Sequence, residues 1–149
     1  MALIDLVVEQ IVKIPLESKD KPDVLRELVQ TLKDAGEIND ADSALKAVQD
    51  REDKQSTGLT DGIAVPHAKT DAVSRLKLAI GIAPKGIDFN SLDKEPSKLI
   101  FLLLAPPGMS GPHVEALAEI AKLAHSKSLC NALCSAANAK EVVQLLKGD

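Results

Sequence analysis

Apolar residues along this chain recur with two spacings, and the switches between them outline its secondary structure. After a short helical start, Gln10 to Leu16 (QIVKIPL) alternates apolar and polar residues, predicting a first strand that Pro15 ends. From Asp20 to Ala35 the apolar positions Val24, Leu25, Leu28, Val29 and Leu32 fall at helical spacing; Pro22 fits the first turn and Gly36 stops the helix. Asp40 or Asp42 caps a second helix running to about Asp53, with Ala44, Leu45 and Val48 inward. A loop rich in hydroxyl and glycine residues follows, then a short strand from Ile63 to Val65.

The second half opens on an alternating strand, Leu76 to Ala83, with Ile87-Asp88-Phe89 as a shorter candidate edge strand. Leu99 to Ala105 (LIFLLLA) is apolar at every position, so it is the expected central strand, covered by helices on each side and ended by Pro106-Pro107-Gly108. A helix is expected from Pro112 to His125, with Leu117, Ile120, Leu123 and Ala124 inward, and two more near Ser128 to Ala136 and Lys140 to Leu146. Strands mixed with helices predict an α/β fold, a layered mixed β-sheet of about five strands flanked by helices on both faces. No composition shift or repeat divides the chain, and residues 1–149 are expected to form a single domain.

Composition narrows the functional classes. Phe occurs twice and Trp and Tyr are missing, so the core must be aliphatic, and recognition of bases or sugars by stacking is disfavoured. A net charge of −4 argues against nucleic acid or an anionic membrane as the main partner. The longest apolar run, Leu99 to Ala105, is too short to cross a bilayer, so no direct membrane insertion is expected. The start, Met1-Ala2-Leu3-Ile4-Asp5, lacks the basic region and long apolar core of a secretory signal, which makes the cytoplasm the expected location. Cys130 and Cys134 sit one helical turn apart; they read as small core residues in a reducing compartment, ahead of a redox or metal role.

The segment Ser56-Thr57-Gly58-Leu59-Thr60-Asp61-Gly62-Ile63-Ala64-Val65-Pro66-His67-Ala68-Lys69 holds the candidate chemistry. Pro66 fixes its own φ and pushes Val65 into an extended conformation, so His67 leaves the strand end in a constrained direction. A histidine held this way can act as a nucleophile, a proton carrier or a metal ligand. A metal site built from His67, His113 and His125 is the weaker option, because no pair has close ligand spacing and no carboxylate accompanies them. Gly58 to Gly62 is not followed by Lys-Ser or Lys-Thr, so a phosphate-binding P-loop is excluded, and there is no Gly-x-Ser-x-Gly elbow for a serine hydrolase.

The run Arg51-Glu52, then Ser56-Thr57-Gly58, then Gly62-Ile63-Ala64-Val65-Pro66-His67-Ala68, resembles the phosphorylation-site signature of the fructose/mannitol/nitrogen-type enzyme IIA domains of the phosphoenolpyruvate-dependent sugar phosphotransferase system. Gly86-Ile87-Asp88-Phe89, Leu99 to Pro106, and His113 with Leu117-Ala118-Glu119-Ile120-Ala121 resemble its later segments, so the likeness spans nearly the whole chain. Departures are small: Val114 stands where leucine is more usual, and Val65 where isoleucine or leucine is common.

The resemblance implies that His67 takes a phosphoryl group from the phosphocarrier HPr and passes it on, with His113 as a second active-site histidine and no cofactor. For one ring nitrogen to attack, the other should donate its proton to a fixed acceptor; a backbone carbonyl is expected there, with phosphorylation at Nε2. The added phosphate carries roughly −1.5 to −2 charge and needs local compensation. Arg51, whose planar fork can hold phosphate oxygens, is the first candidate, against the plain alternative of a solvated helix-surface charge. His113 stands where helix-end N–H groups attract anions. Ser56 and Thr57 are hydroxyl donors to the phosphate or simple turn caps, Lys69 adds charge at the rim, and His125 has no motif support. Within the family two roles remain open: a nitrogen-type regulator, whose phosphorylated and free forms bind different target proteins, and a fructose-type carrier that donates to a IIB domain. The chain carries no IIB or membrane segment, which inclines the reading towards the regulator.

Overall fold

The helices begin where a short polar side chain can satisfy a free backbone N–H. The computed structural model describes residues 3–148, with Met1, Ala2 and Asp149 outside the described residues. Helix α1 (Lys21–Asp34) starts at Asp20, whose carboxylate accepts the Asp23 N–H at 2.9 Å. Helix α2 (Ala41–Lys54) is capped by Asp40, which accepts from Ser43 at 3.0 Å; this decides between Asp40 and Asp42. Helix α4 (Lys127–Cys134) is capped by Ser126 and α5 (Ala139–Lys147) by Asn138. Only α3 (Ser110–Ala124) begins without a side-chain cap, at Met109. The helical start expected before the first strand is reduced to single 3-10 turns at Leu3–Leu6 and Glu9–Ile11.

The strands are β1 (Val12–Lys13), β2 (Ile63–Ala64), β3 (His67–Lys69), β4 (Lys77–Ile87) and β5 (Ser97–Ala105). They form one five-stranded sheet in the order β1-β4-β5-β2, with β3 also on β5. The pair β4–β5 is antiparallel, while β1 on β4 and β2 and β3 on β5 are parallel, so the sheet is mixed. Leu99 to Ala105 are buried at both alternations, as a strand covered on two faces requires. On one face Gly81 of β4 lies against Leu16 and Leu28 of α1. On the opposite alternation, Leu78 and Ile80 meet Leu123 of α3 and Leu146 of α5 around a cavity of about 280 Å³. The α/β expectation of a mixed sheet between helical layers therefore holds.

Three strand expectations need correction. The strand expected over Gln10 to Leu16 shrinks to Val12–Lys13, because a 3-10 turn takes Glu9–Ile11 and Pro15 has no N–H to continue the ladder; the chain regains β4 only at Leu16, whose N–H reaches the Ile82 carbonyl at 2.8 Å. Ile87-Asp88-Phe89 is not a separate edge strand: Ile87 ends β4 opposite Ser97, after an irregularity between Ile82 and Ile87. Asp88 then turns the chain by accepting the Asn90 N–H at 2.9 Å, and Phe89 plugs the core with no exposed surface. His67 does not leave a strand end; pairing resumes as β3 in unchanged register, Ala64 opposite Ile100 and His67 opposite Leu103. On α3 the fully buried stripe is His113, Ala116 and Ile120, while Leu117, Leu123 and Ala124 are only half-buried.

The loop before β2 is tied down by its own backbone. The Leu59 N–H donates to the Ile63 carbonyl at 2.7 Å and the Val65 N–H to the Thr57 carbonyl at 3.0 Å. Gly58 is required by closeness: a Cβ there would fall 2.4 Å from the Ser91 hydroxyl and 2.9 Å from the Ser91 Cα. Backbone cannot retreat as a flexible side chain would. Gly58→Ala is therefore expected to destabilise the protein by about 1–3 kcal/mol in urea unfolding. Gly111→Ala, with nothing within 4 Å of its Cβ position, should be neutral or slightly stabilising; equal losses at both positions would refute this account of the loop.

Candidate functional site

The site is built on the edge strand that Pro66 interrupts. Gly62 and Pro66 turn their carbonyls to β5, so Pro66, which has no N–H, removes one ladder donor, while Val65 at the other alternation faces away from β5 and donates to the Thr57 carbonyl. The Pro66 carbonyl still accepts the Leu103 N–H at 3.0 Å, which keeps β2 and β3 aligned. The Val65 carbonyl instead lies 2.7 Å from Nδ1 of His67. A carbonyl can only accept, so Nδ1 carries the proton and Nε2 is left with its lone pair. This is the fixed acceptor expected from the sequence, now identified as Val65.

His67 and Lys69 alternate along β3 and share one face, and α3 meets that face with its N-terminus. The Lys69 ammonium donates to the Ser110 hydroxyl at 2.8 Å. The ring of His113 stands edge-on to that of His67, with centroids 5.3 Å apart and planes at 77°. His113 is 5% exposed, and its buried Nε2 has no hydrogen-bond partner among the described residues. Burial, reinforced by the neighbouring His67 and Lys69, pushes the His113 imidazole below its ordinary range. A neutral, buried imidazole with an orphan nitrogen beside a second imidazole is a costly arrangement for an apolar core.

The remaining candidates lie elsewhere. Helix α2, which carries Arg51, packs against β3. Its guanidinium nevertheless donates from Nη1 to the Gln55 carbonyl at 2.8 Å, at the end of its own helix. Ser56 and Thr57 are already committed: the Ser56 hydroxyl donates to the Phe89 carbonyl, and the Thr57 hydroxyl to Glu52 Oε1 at 2.5 Å. In this arrangement neither has a proton to offer a phosphate, so they build the loop. His125 is exposed at the far end of α3. Cys130 is buried and Cys134 half-buried, and desolvation raises the pKa of both thiols, as core residues rather than redox groups would show. No group of metal-ligating side chains occurs among the described residues.

Two features were not drawn from the sequence. Ser110, which anchors Lys69, carries no local signal beyond its place before the helix. The Lys21–Glu52 ion pair at 2.8 Å joins residues far apart in the chain, and no periodicity connects them.

Among the described residues no helix is long and apolar enough to cross a membrane. A family model described as "Phosphoenolpyruvate-dependent sugar phosphotransferase system, EIIA 2" matches residues 6–148. The chain is 38% identical over 115 residues to a PTS system fructose-specific EIIA component of Haloferax volcanii, covering 72% of this chain and 75% of that protein. It is 29% identical to a nitrogen regulatory protein of Bradyrhizobium diazoefficiens, covering 98% and 95%. A fructose-specific EIIABC component of Bacillus subtilis is 34% identical over 98% of this chain, which spans only 23% of that protein's length. Among solved structures, nitrogen regulatory protein IIA-Ntr from Neisseria meningitidis superposes with a TM-score of 0.88 at 26% identity, covering 97% of this chain and 98% of that one. Escherichia coli IIAMTL, in a complex with phosphorylated IIBMTL, shares the fold with a TM-score of 0.81 at 20% identity over 95% and 97% of the two chains. A profile match over almost the whole chain and relatives from both branches lead to one conclusion: the chain belongs to the EIIA 2 family of the phosphoenolpyruvate-dependent sugar phosphotransferase system, whose members carry phosphohistidine.

Proposed function

We propose that this chain is a single-domain phosphocarrier in which Nε2 of His67 accepts a phosphoryl group from an HPr-type phosphocarrier protein and hands it on. The observation that carries this reading is the 2.7 Å contact from Nδ1 to the Val65 carbonyl. With that nitrogen already protonated, the Nε2 lone pair forms the new N–P bond as the donor's bond to phosphorus breaks, and no proton has to leave the ring. The ring becomes formally cationic, and the Val65 carbonyl dipole stabilises it.

The surroundings supply what the phosphate needs. His113 stands beside the His67 ring with a buried Nε2 that lacks a partner, and in this reading a phosphate oxygen supplies it. Helix α3 lacks a side-chain cap, so its first N–H groups and positive dipole end are open to an anion, and Lys69 adds a cation beside them. Arg51 swings from the Gln55 carbonyl to the phosphate in this reading, exchanging one oxygen acceptor for a charged one. Ser56 and Thr57 act by holding the loop in shape.

The likeness to nitrogen regulatory proteins, which spans almost all of both chains, supports a regulatory output in which phosphorylated and free forms bind different target proteins. Donation to a IIB domain during fructose uptake is the second reading, favoured by the 38% identity to a fructose-specific EIIA component. Affinity capture with each form, set beside transfer to a purified fructose IIB domain, separates the two.

Incubation with phosphoenolpyruvate, enzyme I and HPr should add one acid-labile phosphoryl group, and His67→Ala should abolish it; labelling that survives in the variant overturns the assignment. Arg51→Lys should slow transfer roughly tenfold, the equivalent of about 1.5 kcal/mol for a lost charge-assisted hydrogen bond, and an unaltered rate would return Arg51 to the solvated surface. His113 titrates below 6.5 in the folded protein, so on acidification the unfolded chain binds the proton first. Its contribution to stability is full above the unfolded value and is lost as pH falls through the folded one. His113→Gln should flatten the decline in urea midpoint between about pH 7 and pH 5. Phosphorylation should move the His113 titration upward, because an anion beside it favours the charged ring. An NMR titration that is the same with and without phosphate would mean that His113 does not touch it.

A further inference from the structure

Glu52 is the one buried acidic residue of the described chain, with only 3% of its side chain exposed. It is held on every side. Its Oε2 accepts from the Lys21 ammonium at 2.8 Å and from the Thr57 N–H at 2.8 Å, and its Oε1 from the Thr57 hydroxyl at 2.5 Å. Lys21 is itself 16% exposed and lies 5.1 Å from the centre of the Phe89 ring. Burying a carboxylate with one ammonium brings little net stability, since the attraction roughly offsets two desolvation costs. An apolar pair would fill the same space between α1 and α2 as well. The reason for a charge here must lie in what the charge is connected to.

From Oε2 the hydrogen bonds run in one direction. The Thr57 N–H donates to Glu52, the Val65 N–H donates to the Thr57 carbonyl at 3.0 Å, and the His67 Nδ1–H donates to the Val65 carbonyl at 2.7 Å. The Thr57 and Val65 N–H and carbonyl groups belong to different peptide units, with a Cα between donor and acceptor at each residue, so what this series passes on is position. The anchored Thr57 fixes the Val65 backbone, and that backbone fixes the imidazole proton. We infer that Glu52 is a positioning residue for His67: by anchoring Thr57 it fixes the Val65 carbonyl that holds the ring in the Nδ1–H form. The inference rests on His67 being the phosphorylated residue. Glu52 touches neither the ring nor the phosphate, so its effect belongs in the rate of the transfer step and not in binding of the donor.

The test uses the full chain, with rates of transfer from phospho-HPr and imidazole 15N shifts measured on the same samples. Glu52→Ala should slow transfer at saturating donor on the order of tenfold with KM nearly unchanged, as second-layer substitutions commonly do, and should reduce the Nδ1–H fraction of His67. Because that variant leaves Lys21 unpaired and can fail to fold, the apolar double variant Lys21→Met with Glu52→Leu is made beside it, and the same losses are expected. Val48→Ala, one turn earlier on the buried face of α2, serves as a stability control: it should lower the urea midpoint while tautomer and rate stay as in the parent. A folded double variant with the parent's rate and tautomer overturns the positioning role, even though His67 is labelled. Loss of label specificity in His67→Ala would instead refute the phosphocarrier reading, and the 15N comparison would still decide what Glu52 does to the ring.

Discussion

Pro66 cannot donate a hydrogen bond, and the working edge of the sheet is organised around that omission. In this edge strand alternate residues face β5: Gly62 and Pro66 accept there from Leu99 and Leu103, while Val65 faces the open side. Here the Val65 N–H goes to Thr57, the Val65 carbonyl goes to Nδ1 of His67, and only the Pro66 carbonyl keeps the connection to Leu103. The register is the same on both sides of the gap, so the interruption costs ladder bonds without misaligning the strand. The Val65 carbonyl, which faces the open side of the strand, is left to set the protonation of a side chain.

That local arrangement depends on parts of the chain that never touch the histidine. The loop from Ser56 to Gly62 stays in place because Glu52 and Phe89 accept its hydroxyl protons and because Gly58 lets Ser91 approach. Across the gap, α3 is set by its own packing on β5 and presents an uncapped end and a buried, neutral His113. The protein thus tolerates two unfavourable features at one place, an orphan imidazole nitrogen and unsatisfied helix-end donors. In the proposed phosphorylated form both costs fall. This is the usual sign of a site whose stability was traded for binding.

Much of the fold was legible because periodicity is a local property. The stripe of α1, its stop at Gly36 and the all-apolar β5 follow from which residues neighbour one another at helical or strand spacing. The strand expectations at Gln10 to Leu16 and Ile87 to Phe89 went wrong where alternation was present but the backbone had other partners: a 3-10 turn in the first case, an Asp88 turn in the second. The extra strand at His67 was hidden because its pairing partner, Leu103, lies far along the chain. The hydroxyls of Ser56 and Thr57 read as phosphate donors for the same reason, since nothing nearby in sequence announces that Phe89 and Glu52 have claimed them.

The sequence by itself determined that His67 follows a proline at a strand, that a second histidine opens a helix, and that the core would be aliphatic and two-sided. These are consequences of fixed φ, missing N–H groups and side-chain spacing, which act within a few residues. Only the tertiary structure decided which carbonyl meets Nδ1, that the two imidazoles stand edge to face, where the Arg51 guanidinium rests, and that Lys21 and Glu52 meet behind the loop. The imidazole pair and the Lys21–Glu52 contact join residues distant in the chain, while the Nδ1 and Arg51 contacts are local bonds whose direction the packing sets. Their geometry exists only once the sheet and helices have packed.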